Sequence, residues 1–222
     1  MIDHWPALTH WSLDRFAARC GDAVVEAQVE RQRDPAYELA KDDHRRLLRF
    51  GELIDWLRRD EASNDIYLTA YNSSTNAAAL APLWDDLVPL PLLAEGGHRQ
   101  GFFWLDPRGT LTPSHHDLTN NLLVQVMGRK RVRLVSPWAS AQIRNSHHCF
   151  SDWGNEPLPA GPGDAERLPV LETILDPGEA IFLPVGWWLQ VEALDLSASM
   201  SFTCFQRANA HVEDYLSYGV VG

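Results

Sequence analysis

From Gly101 to Phe205 the chain is a succession of short extended runs: GFFWLD, TLTPSHHD, NLLVQVM, KRVRLVSP, VLETIL, EAIFLP, WWLQVEAL and LSASMSFTCF. Glycine, proline or polar residues separate them, mostly at the spacing expected of an all-β sandwich or barrel. One connection is long. Residues 145–169, SHHCFSDWGNEPLPAGPGDAERLP with its flanks, exceed an ordinary loop and read as a functional flap.

The first third has a different character. Ser12 can cap a helix over WSLDRFAARC, with Gly21 supplying a left-handed end. Over 45–59, RRLLRFGELIDWLRR repeats apolar residues at three and four, which predicts one amphipathic helix. DIYLTAYN, residues 65–72, predicts a strand, and NAAALAPLWDDL a short helix broken at Pro82. The expected organisation is one domain over 1–222. It has a helical part to about 64, a β core over about 65–205 and a closing helix over about 207–218.

Charge and cysteine content restrict the function classes. A formal charge of −11 repels phosphate backbones, so nucleic acid is not expected as a partner and a neutral or basic substrate is easier to accommodate. Cys20, Cys149 and Cys204 are widely spaced and odd in number, which argues for a reducing, cytoplasmic setting rather than a disulfide framework. No apolar run approaches the length needed to cross a bilayer, so no membrane partner is expected. The terminal AHVEDYLSYGV is a candidate contact for a homodimer.

Several polar residues sit inside the apolar strands. His115 and Asp117 are two apart and share one face, where an imidazole nitrogen and a carboxylate can bind a divalent metal such as non-haem Fe(II). An H-x-D triplet alone also serves ordinary structural ends. In RKRVRLV, alternation puts Arg129, Arg131 and Arg133 on one face, read as solvent-facing, and Lys130 with Val132 and Leu134 on the other. A lysine on the apolar side either snorkels beside the Gly128 turn or needs an anionic partner.

At this point the residues carry a resemblance. TLTPSHHDLTNNLLVQVMGRK and DPGEAIFLPVGWW, together with WPALTHW and IYLTAY, resemble the cupin-like JmjC family of Fe(II)- and 2-oxoglutarate-dependent oxygenases. The resemblance implies a double-stranded β-helix, or jelly roll, with N-terminal and flanking helices. It implies that His115 and Asp117 bind iron, and that Lys130, Tyr67, Thr112, Asn121 and Ser201 hold 2-oxoglutarate. Trp187 and Leu189 would shape the substrate site. It also implies hydroxylation of a peptide, an amino acid or another small molecule such as a natural-product intermediate.

The pattern departs at one place. The third iron ligand, a histidine following the tryptophan pair, is here Leu189. Alternation turns Gln190 and Glu192 to the opposite face, leaving the flap histidines His147 and His148 as alternative donors. Two readings therefore stand: an oxygenase with an incomplete iron triad, and a non-catalytic descendant that keeps the pocket as a binding module or scaffold.

Overall fold

The structure, a computed structural model, describes residues 2–68, 74–145, 148–159, 168–209 and 211. Two strands precede the main array: β1 (Val24–Gln28) and β2 (Arg45–Arg49), paired antiparallel. The eight runs then form β3 (Phe102–Asp106), β4 (Leu111–His116), β5 (Asn121–Met127), β6 (Lys130–Val135), β7 (Val170–Leu175), β8 (Ala180–Leu183), β9 (Trp188–Ala193) and β10 (Ser197–Phe202). They make two four-stranded sheets, ordered β3-β10-β5-β8 and β4-β9-β6-β7. Counted from β3, these are strands one, eight, three, six and strands two, seven, four, five, which is jelly-roll order. At the tight β5–β6 connection Gly128 has a φ of 65°, and a Cβ there would collide with the Leu196 carbonyl.

Alternation assigns the two faces of the first sheet different jobs. Phe103 and Leu105 of β3, Val124 and Val126 of β5 and Met200 and Phe202 of β10 point outward into the largest core. There they meet Trp5, Trp11, Phe16, Phe50, Leu53 and Ile54 of the N-terminal segments. Edge-to-face contacts set that packing, with Trp11 and Phe103 centroids at 5.3 Å and Trp5 and Phe202 at 6.1 Å. The intervening residues, Phe102, Trp104 and Asp106, are left to face the second sheet.

A smaller apolar cluster fills one end of the space between the sheets. Leu123 and Leu183 from the first sheet meet Val132, Leu134, Leu175 and Leu189 from the second. The other end is polar and hollow. The serines Ser197, Ser199 and Ser201 are all buried and line up along β10, accepting hydrogen bonds from Gln125, Lys130 and Trp104 respectively.

Some local expectations are met and others corrected. Ser12 caps the helix Leu13–Cys20, its hydroxyl accepting from the Arg15 N–H at 3.1 Å. Gly21, however, is right-handed, with φ −58°; glycine is needed for space, since a Cβ would collide with the Ala17 carbonyl. The single helix predicted over 45–59 is split. Arg45–Arg49 pairs residue for residue with β1, and a helix starts only at Phe50, where Glu52 accepts from the Arg49 N–H at 3.2 Å. The leucine pair at 47 and 48 suits either period, and pairing with β1 decides for the extended one.

In the segment 65–72, Tyr67 and Leu68 form only isolated bridges, and 69–73 lie outside the described residues. The helix Ser74–Leu80 passes into a 3₁₀ turn, Ala81–Asp86, at Pro82. Most of the expected closing helix over 207–218 also lies outside the described residues.

The outer face of the second sheet carries a further correction. Arg129 is exposed as expected, but Arg133 is buried, held by Glu172 at 2.7 Å and Gln190 at 3.2 Å. The reason is the long connection, which docks there. Gln190 accepts from the Leu158 N–H at 2.9 Å and donates to the Glu156 carbonyl at 2.8 Å. Gln190 therefore does face away from the interior, as alternation required. Among the described residues, no helix is long and apolar enough to cross a membrane.

Candidate ligand-binding site

The hollow end of the jelly roll is a cavity of about 470 Å³. Phe102, Trp104, Ser201 and Asn121 come to it from the first sheet and Thr112, His115 and His116 from the second. Gln28 and Tyr67 approach from the N-terminal side, and Cys149 and Phe150 come from the long connection. That connection thus serves both ends of its length, walling the cavity at 149–150 and bracing the outer face at 156–158.

His115 and Asp117 are brought together, with Nε2 and Oδ1 3.7 Å apart. The other imidazole nitrogen, Nδ1, lies 2.8 Å from the Pro113 carbonyl, which can only accept. Nδ1 therefore carries a proton, and Nε2 is the nitrogen turned toward Asp117. The second carboxylate oxygen of Asp117 accepts from the Asn121 amide at 3.1 Å. Two donors are thus pre-oriented on one side of the cavity.

Opposite them the third donor is missing. Leu189 on β9 is the direct cross-strand partner of His115, so the two side chains share the inner face. Leu189 is 5% exposed and packs into the cluster of Leu123, Val132 and Leu134. Trp187 packs against the same cluster, and neither residue lines the cavity, whereas Trp104 and Phe150 do. His148 is exposed and does not line the cavity, while His147 lies outside the described residues. Among the described residues, no group of three or more histidine, cysteine, aspartate or glutamate side chains is placed to hold a metal ion.

Lys130 is buried on the inner face, as alternation required, and it has the anionic partner that burial demands. The partner is the chain's own Asp106. The ammonium lies 3.1 Å from Asp106 Oδ1 and 2.9 Å from the Ser199 hydroxyl, with the lysine and aspartate side chains 4% and 2% exposed. Burial raises the Asp106 carboxyl above its ordinary range, and Lys130 and then Arg31 offset only part of that rise. Lys130 does not line the cavity. Two of its three N–H donors are engaged by Asp106 and Ser199.

The other expected contacts line the cavity, though their polar atoms are partly engaged. The Tyr67 hydroxyl is 3.5 Å from the Thr112 hydroxyl, and burial, then Asp106, hold its pKa well above the usual value, so it stays neutral. Ser201 accepts from the Trp104 indole N–H at 2.8 Å. The Tyr67 ring stacks on Trp104 at 5.6 Å, and its other neighbour is the guanidinium of Arg31, 4.8 Å from its centroid and 4.1 Å from that of Tyr37. Burial lowers the His116 pKa, keeping that ring neutral at pH 7.

Residues 1–209 match the family model for the cupin-like domain. This chain is a cupin-like domain of the JmjC type. The domain is 31% identical over 213 residues to lysine-specific demethylase JMJ30 of Arabidopsis thaliana, covering 90% of this chain and 47% of that protein. It is 28% identical over 220 residues to lysine-specific demethylase 8 of Xenopus tropicalis, covering 91% and 46%. It is 27% identical over 217 residues to tRNA wybutosine-synthesizing protein 5 of Danio rerio, covering 88% and 64%. The domain thus spans about half the length of the first two relatives. JmjC-type members generally use Fe(II) and 2-oxoglutarate.

Missing from the sequence reading were Asp106, Gln28 and Arg31. Asp106 had left a signal. In GFFWLD it falls on the same alternating face as Phe102 and Trp104, where a carboxylate needs a cation and Lys130 needs an anion. Gln28 and Arg31 left none, because their burial depends on a segment with no regular period.

Proposed function

We propose that this chain is a JmjC-type cupin domain that keeps its cavity as a ligand-binding site and does not carry out iron- and 2-oxoglutarate-dependent turnover. The observation that carries this reading is Leu189, an apolar side chain set directly across from His115 where a third donor is required. One imidazole and one carboxylate fall a ligand short of the two-histidine, one-carboxylate set that suits non-haem Fe(II). Lys130 adds a second mismatch. Its charge is already balanced by Asp106, so a keto-diacid would meet no uncompensated cation there. The residues present do not fit Fe(II) with 2-oxoglutarate.

The test is an anaerobic titration with Fe(II) and 2-oxoglutarate, followed by admission of air. The expected result is no visible charge-transfer band from a chelate and no succinate above the protein-free background. A band together with succinate formation, both lost in His115→Ala, would overturn the reading. The oxygenase reading draws on one observation, the pre-orientation of His115 by Pro113 and of Asp117 by Asn121. The same titration tests it.

A further inference from the structure

Gln28 ends β1 with its backbone fully paired. Its N–H donates to the Tyr67 carbonyl at 2.9 Å, and its carbonyl accepts from the Tyr67 N–H at 3.0 Å. The side chain is a different matter. The residue is 2% exposed and lines the cavity, yet neither Oε1 nor Nε2 has a hydrogen-bond partner. A buried primary amide with both ends unsatisfied is costly, and well-packed interiors seldom retain one. Asn121, also in the lining, has its Nδ2 on Asp117 and its Oδ1 unpartnered.

The charges around the cavity determine what kind of molecule can answer these groups. The lining carries Glu38, Asp117 and Lys41, two carboxylates against one ammonium, a formal −1. Lys41 is itself paired with Glu38 at 3.3 Å. The buried Arg31 behind the wall shares that same Glu38 carboxylate at 3.2 Å, and Lys130 is paired with Asp106 at 3.1 Å. An anionic ligand would find Lys41 as the cation of the described lining, already on Glu38, and would bring acceptor oxygens against Asn121 Oδ1 and Asp117. A neutral ligand with an adjacent N–H and carbonyl meets both atoms of the Gln28 amide at once. The walls favour a flat body, since Phe102, Trp104, Tyr67 and Phe150 all line the space.

We propose that the cavity binds an uncharged planar molecule bearing a carboxamide or equivalent donor–acceptor edge, with Gln28 as its specificity-determining residue. The ligand N–H would donate to Gln28 Oε1, and Nε2 would donate to the ligand carbonyl, with the ring held among Phe102, Trp104 and Phe150. This deepens, and rests on, the reading of the domain as a binding module. A site built to hydrogen-bond a polar edge discriminates strongly against analogues that lack it, because its own buried groups are then left unpaired.

Benzamide, benzoate and acetophenone share a ring and differ in the edge offered to Gln28, so their affinities can be compared by calorimetric or NMR titration of the full chain. Benzamide should bind at least about tenfold more tightly than either analogue. Gln28→Met should bring the three within about twofold of one another. It should also raise the melting temperature of the ligand-free protein by about 2–4 °C, since an apolar side chain replaces an unsatisfied amide. Equal or tighter binding of benzoate, failure of all three to saturate, or survival of the benzamide preference in Gln28→Met would each overturn the proposal. A parallel titration with 2-oxoglutarate and Mn(II) separates the two readings. Saturable binding there, with succinate formed when Fe(II) and air replace Mn(II), would sink the binding-module reading whatever the three probes do, and its absence leaves the proposal to the benzamide comparison alone.

Discussion

Removing Asp106 tests whether Lys130 is committed to an internal partner. In Asp106→Ala a buried ammonium keeps only the Ser199 hydroxyl, 2.9 Å away. Truncating one member of a buried ion pair typically costs about 3–5 kcal/mol, most of it the penalty of leaving the other charge unpaired. For a chain of this length that lowers the melting temperature by about 6–20 °C. The assay is urea and thermal unfolding of wild type and variant, alone and with up to tens of millimolar acetate. Acetate restores the missing carboxylate, so it should stabilise the variant and leave wild type unmoved. At a concentration of about 100 times its dissociation constant it would return about 2.7 kcal/mol. The double variant Asp106→Leu with Lys130→Met removes both charges and should lie close to wild type. A loss under about 1 kcal/mol in Asp106→Ala, or equal stabilisation of both proteins by acetate, would refute the assignment.

Three further outcomes are expected. Leu189→His sets an imidazole across from His115 and should produce saturable Co(II) binding, seen as visible d–d bands that wild type lacks; replacing a buried leucine should also cost about 2–4 kcal/mol in urea unfolding. Burial depresses the His116 pKa below the ordinary 6.5, so between that value and the lower folded pKa the unfolded chain binds more protons than the folded one; stability should rise as pH climbs through this window, and His116→Gln should flatten the rise in thermal melts. Ser12→Ala removes the cap on the helix Leu13–Cys20 and should lower stability by about 1 kcal/mol in denaturant unfolding.

The barrel strands were legible because their alternation and turn residues are local facts. Phe103 and Leu105 face the helices while Phe102 and Trp104 face the cavity, and that division follows from a two-residue period. The same rule placed His115 with Asp117 and turned Lys130 inward. Legibility failed where a residue's fate depends on a distant segment. Arg133 was read as exposed because nothing in RKRVRLV reveals that 156–158 lie over it. The residues Arg45–Arg49 looked helical because β1, some twenty residues earlier, is invisible to a local period. Lys130 was expected to await a ligand because its partner, Asp106, sits on β3, three strands earlier in sequence and in the other sheet.

Closure of the barrel has a consequence for how the cavity comes into being. Phe102 of β3 pairs with Ser201 of β10, a separation of 99 residues (201 − 102), and both line the cavity. Contacts of such range form slowly, because a long loop must be closed before they stabilise anything. The pocket is therefore a late product of folding. A nascent chain ending anywhere before β10 has half a wall and nothing to enclose, and occupancy by a ligand certifies that the last strand has docked.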